Sequence, residues 1–128
     1  MTAALRLVLS ALVGVALAGC GYTETHDVVL RSQTEVRPHA VEVYMGTQVP
    51  VRPFYEIALV QVVGHGSEAN MESVTRALGA RASALGCDAI VRVRVDPGYA
   101  MANGVGVCVR WSSVVPASAP SSNHVAPF

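Results

Sequence analysis

The sequence predicts an α+β fold: a small antiparallel or mixed sheet in the order β-β-α-β-β, with one helix packed on one face. Three observations carry that expectation. Four segments hold β-forming residues in short alternating or continuous apolar runs. One segment between the second and third of them has apolar residues at spacings of three and four. Gly, Pro and Asp punctuate the boundaries. Periodicity of two marks strands and periodicity near 3.6 marks a helix.

Val41-Glu42-Val43-Tyr44 alternates as a short strand, and residues 46–53 follow as a loop. Residues 54–63 are β-rich and largely apolar, as expected of a strand buried on both faces or nearly so. Gly64-His65-Gly66-Ser67 ends that run. A helix is expected over residues 70–85, with Ser67 or Asn70 as its N-cap and Gly86 as its left-handed stop. Met71, Val74, Leu78, Ala82 and Leu85 share one helix face, with Glu72, Arg76 and Arg81 outside it.

Residues 88–95 read as a strand with Ala89, Val91, Val93 and Val95 on one side and Ile90, Arg92 and Arg94 on the other. Asp96-Pro97-Gly98 is a turn signal. The next strand, residues 104–111, opposes Val105, Val107, Val109 and Trp111 to Gly106, Cys108 and Arg110. Matching the valine-rich sides gives a hairpin with that side on the helix. Arg92, Arg94 and Arg110 then gather on the face away from the helix, either as a solvated surface or as a candidate partner surface.

The N-terminal segment behaves differently. Arg6 precedes an apolar run over residues 7–17 that is too short to span a bilayer but long enough for a secretory signal. Leu17-Ala18-Gly19-Cys20 closes it. The pattern resembles the lipobox of bacterial lipoproteins, and that resemblance implies cleavage after Gly19 and lipidation (palmitate among the acyl chains) of Cys20. Gly21, in place of Asp, favours the outer membrane, facing the periplasm. The expected organisation is a signal peptide over 1–19, a lipid-anchored tether over 20–40, the α+β domain over 41–112 and a disordered Ser/Ala/Pro-rich tail over 113–128.

Fourteen of the first nineteen residues are apolar, so they inflate the 52% hydrophobic content of the whole chain. Nine Arg balance nine Asp and Glu, and Lys is absent. Removing Arg6 leaves a net charge of −1, which gives no basic surface for nucleic acid.

No catalytic constellation emerges. His26, His39, His65 and His124 are scattered singly, without the close ligand pairs of a zinc site, so no metal or cofactor is expected. Gly64-His65-Gly66-Ser67 lacks the final Gly of a nucleophile elbow, and Gly104-Val105-Gly106 opens no helix. For Cys87 and Cys108 a disulfide stays open. A turn centred near residue 100 sets Cys108 opposite residue 92, leaving Cys87 about 16 Å away at ~3.3 Å per residue, beyond bridging distance. Two free thiols are favoured, with pairing between molecules a further alternative.

Val41-Glu42-Val43-Tyr44, the segment Arg52-Pro53-Phe54-Tyr55-Glu56-Ile57, and Leu85-Gly86-Cys87-Asp88-Ala89-Ile90-Val91 resemble the RcsF family of outer-membrane lipoproteins. The helix-to-strand junction also resembles YbjQ-type domains. The resemblance implies a non-enzymatic envelope lipoprotein that binds another envelope protein, with envelope stress sensing as the family's role. The alternative it implies is a small-molecule or metal-binding module on a lipid anchor. Two departures stand out. RcsF-type domains carry four cysteines in two disulfides, whereas Cys108 alone here matches a family cysteine. The family's partner position falls at Val95, and Cys87 falls where the family has a small residue.

Overall fold

The structure, a computed structural model, describes residues 20–113. The expected signal segment, including Leu17, Ala18 and Gly19, and all of the expected tail beyond Ser113 lie outside the described residues. The fold is α+β, as expected: strands β1 (Tyr22–Val29), β2 (Glu42–Met45), β3 (Phe54–His65), β4 (Ala89–Asp96) and β5 (Met101–Trp111), with helix α1 (Met71–Ala84). The strands form one mixed sheet in the order β1-β3-β5-β4-β2. Only the β2–β4 pair is parallel.

The first strand corrects the sequence reading. Residues 20–40 were expected as a tether, yet β1 pairs with β3 along its whole length, from Tyr22 opposite His65 to Val29 opposite Ala58. It is an edge strand, and seven of its eight residues are exposed. An edge strand exposed on both faces needs no apolar alternation, so its polar composition hides it. Residues 30–41 are also held to the body. The Leu30 N–H donates to the Ile57 carbonyl at 2.8 Å, the Ser83 hydroxyl donates to the His39 carbonyl at 2.7 Å, and His39 Nε2 lies 3.0 Å from the Asp88 carboxylate. The order is therefore β-β-β-α-β-β.

The helix forms where its signals place it. Asn70 caps it, its side-chain oxygen accepting the Ser73 N–H at 2.9 Å, and Gly86 (φ +77°) turns the chain out at the other end. Val74, Leu78 and Ala82 are fully buried against the sheet with Ile57, Val60, Val62, Ile90 and Val93. Burying one such leucine contributes roughly 1.5–3 kcal/mol. Arg81, expected to be solvated, instead reaches β1, its Nη2 2.6 Å from Asp27 Oδ1. That ion pair fastens the edge strand to the helix.

The face that β5 turns to the helix is the reverse of the expected one. Ala102, Gly104, Gly106 and Cys108 point inward, and Val105 and Val107 point away. The physical reason is closeness of approach. A Cβ on Gly104 would run into the Val74 side chain, and one on Gly106 would stand 2.7 Å from Ile90 Cδ1. Only glycine leaves room for the helix at position 104 and for the β4 side chains at position 106.

In β4 the phase changes midway. Ala89 and Val91 face away from the helix, whereas Ile90, Val93 and Val95 face it. The pairing slips between Val91 and Arg94, and Arg92 at φ +55° takes up the extra residue. A bulge of this kind lets one strand serve both faces.

Cys87 and Cys108 are joined by a disulfide, with Cα atoms 5.7 Å apart, and both are fully buried beneath the helix. The reading of two free thiols was wrong because the register differs: Cys108 lies opposite Ile90, not Arg92. The two-residue shift brings Cys87 level with β5 as the chain leaves Gly86.

Candidate functional site

Among the described residues a single α-helix covers one face of the sheet, and the other face carries no helix. Its upper and lower halves differ. In the lower half Ala89, Val91 and Val109 are fully buried beneath Tyr44, Phe54 and Trp111. The loop between β2 and β3 lays the Arg52 guanidinium over the Trp111 ring, 4.3 Å from its centroid. Glu42 lies beside it, 3.8 Å from Arg52 and accepting the Tyr44 hydroxyl at 2.6 Å. That hydrogen bond holds the Tyr44 phenol above its ordinary pKa, with burial and the Glu42 charge acting in the same direction and Arg52 against them. The cluster is a cap closing this part of the face.

The upper half has no such cover. Register sets Val28 beside Leu59 and Leu59 beside Val107, forming one row across three strands. The next row runs from His26 through Gln61 and Val105 to Arg94. Val28, Leu59 and Val105 are 60%, 45% and 42% exposed, far from the burial their side chains would find in a core. Between them lies a groove of about 380 Å³ lined by His26, Val28, Leu59, Gln61, Val105 and Val107. Gln61 donates to the Asn103 side-chain oxygen at 3.1 Å, closing the polar upper rim.

The three arginines expected on this face are not brought together. Arg94 is on it, exposed, at the end of the His26 row. Arg92 stands at the bulge and reaches across Val109 to Glu56, Nη1 to Oε1 3.2 Å. Arg110 is on the opposite face. It pairs across the sheet with Tyr55, which packs into the helix-side core, and its guanidinium donates to Gln33 Oε1 at 2.8 Å. Two cations therefore flank the groove, and Arg110 binds the segment between β1 and β2.

Sequence reasoning missed the apolar row because it assigned Val105 and Val107 to the core. The legible signal was the small-residue alternation Ala102-x-Gly104-x-Gly106, which marks a strand face that a helix approaches closely. Cys20 lies exposed at the upper end of the sheet, two residues ahead of β1. No family model, no curated protein and no solved structure matches the chain.

Proposed function

We propose that this chain is a lipid-anchored protein of the bacterial envelope, most simply at the outer membrane, that acts by binding another envelope protein and not by catalysis. The lipobox ending in Cys20 and the RcsF-like segments support the location and the class. The observation that carries the binding role is the row Val28, Leu59 and Val107, with Val105 beside it, on the sheet face that the helix leaves open. Exposed apolar residues in one contiguous patch with a polar rim mark interaction surfaces. His26, Arg92 and Arg94 at its margin favour a partner segment that is apolar and edged with carboxylates, since arginine recognises planar acids well. Envelope stress sensing is one role that such docking would serve.

A photocrosslinking residue placed at Leu59 or Val105 in cells tests this. One discrete adduct is expected from those positions and none from Arg76 on the outer face of the helix. Leu59→Asp in the same chain is expected to abolish the adduct from Val105. Equal yields from both faces would overturn the assignment. The second reading, a small-molecule site, draws on the same groove of about 380 Å³, a size within the usual ligand range. A non-covalent mass increment on the native protein, lost in Leu59→Asp, would favour it over a protein partner.

A further inference from the structure

The upper end of the sheet gathers residues from three distant parts of the chain. Residues 20 and 21, the one-turn 3-10 helix Gly66–Glu68 and the turn between β4 and β5 all meet there. The Gly66 N–H donates to the Ala100 carbonyl at 3.1 Å, tying the turn to the start of that 3-10 helix. The Cys20 carbonyl oxygen and the Gly21 Cα lie 2.7 and 3.5 Å from where a Cβ on Gly66 would stand. Gly21 in turn packs against Ser67 and Glu68. Cys20 is thus seated on the body of the domain, with no free leader between it and the first strand.

The same end presents the most exposed aromatic and thioether side chains of the described residues. Tyr99 at the turn is 106% exposed, and Met101 and Tyr22 are each 56% exposed. Neither the core nor the open-face groove uses Tyr99. The turn, residues 96–101, carries Asp96 and no cation.

We infer that this end is a membrane-contact surface: Tyr99 and Met101, with Tyr22 beside the anchor, sit in the headgroup layer of the bilayer that holds Cys20. The inference rests on acylation of Cys20, the anchoring part of the proposed function. Acyl chains on the Cys20 sulfur bring that atom to the boundary of the hydrocarbon, and the headgroup layer is about 5–7 Å deep on each side. Side chains at the same end of a rigid domain then fall within that layer. Tyrosine, with an apolar ring and a polar tip, is the residue type favoured there. The contact is apolar and aromatic, so zwitterionic lipid suffices and salt does not release it. The strands consequently run away from the membrane, and the open face looks sideways along it, where a membrane-bound partner meets it directly.

Trp111, the sole tryptophan, supplies an internal control. It lies at the opposite end of β5 from Met101, roughly 30 Å away at ~3.3 Å per residue. The experiment takes the full-length protein processed in cells, as wild type and as Tyr99→Trp in a Trp111→Phe background. Both are reconstituted into phosphatidylcholine vesicles with and without brominated acyl chains. The Tyr99→Trp indole is expected to lose most of its emission in the brominated vesicles and to shift to the blue, at low and high salt alike. Wild-type Trp111 emission is expected to be unchanged. Intact mass on the same samples reports acylation. Acylated protein with no quenching at position 99, or with equal quenching at both positions, overturns the contact surface and leaves the anchor standing. Unacylated protein removes the anchor and the contact surface together.

Discussion

Reducing the buried disulfide is expected to cost the domain a large part of its stability. Cys87 and Cys108 are separated by 21 residues, and closing a loop of that length removes unfolded-state entropy equivalent to about 3 kcal/mol. The thiols of the reduced form occupy nearly the same volume, so little packing is lost and the loop term dominates. For a domain of this size each kcal/mol moves the midpoint by about 4–8 °C, giving a fall in Tm of roughly 12–24 °C. The assay is thermal unfolding followed by far-UV circular dichroism, on oxidised protein and on protein reduced in denaturant and refolded under reductant. A thiol titration establishes the redox state of each sample. A midpoint that moves by less than a few degrees, with two new thiols counted, would refute the reasoning. Burial beneath α1 adds a kinetic expectation: a reductant that acts only on accessible disulfides should leave the native bond intact until the domain opens.

Two substitution pairs test the packing directly. Leu78→Asp is expected to abolish cooperative unfolding, because it places an unpartnered carboxylate in a fully buried position; exposed Arg76→Ala should stay within about 0.5 kcal/mol of wild type by urea denaturation. At the bulge, Arg92 at φ +55° adopts a conformation that costs a non-glycine residue about 1–2 kcal/mol. Arg92→Gly is therefore expected to keep or raise the urea midpoint, and Arg92→Val to lower it, since a β-branched residue fits that conformation worst. A lower midpoint for the glycine variant than for the valine variant would show that side-chain contacts, chiefly with Glu56, outweigh the backbone term.

Local signals made the helix and four of the five strands legible. Asn70 and Gly86 bound α1 because capping and left-handed stops are short-range chemistry, and the stripe through Val74, Leu78 and Ala82 is the buried one. What escaped was set by neighbours. β1 is recognisable only once β3 is there to pair with it, and the Asp27–Arg81 ion pair spans 54 residues. The inward face of β5 reads as the wrong one by hydrophobicity, because a side chain on Gly104 would meet Val74 of the helix and one on Gly106 would meet Ile90 of β4. That reversal alone moved Val105 and Val107 from the expected core to the open face. The same reversal carries Arg110 to the helix side and so breaks up the expected three-arginine surface, while the bulge at Arg92, which no local glycine announces, keeps Arg94 on the open face. The disulfide was missed through a two-residue error in register, since Cys108 lies opposite Ile90 and not Arg92.

Acylation of Cys20 is what would make the upper end of the sheet a membrane-facing end and the open face a docking surface within the envelope. The mass of the N-terminal peptide from protein extracted out of bacterial membranes tests it most directly. The expected peptide begins at Cys20 and carries a thioether-linked diacylglyceryl group, with or without a further acyl chain on its amine, and Cys20→Ala in the same cells yields neither cleavage at that site nor palmitate label. A peptide that begins at Met1, or at any residue other than Cys20, with an unmodified Cys20 thiol would contradict the lipid anchor and the orientation drawn from it.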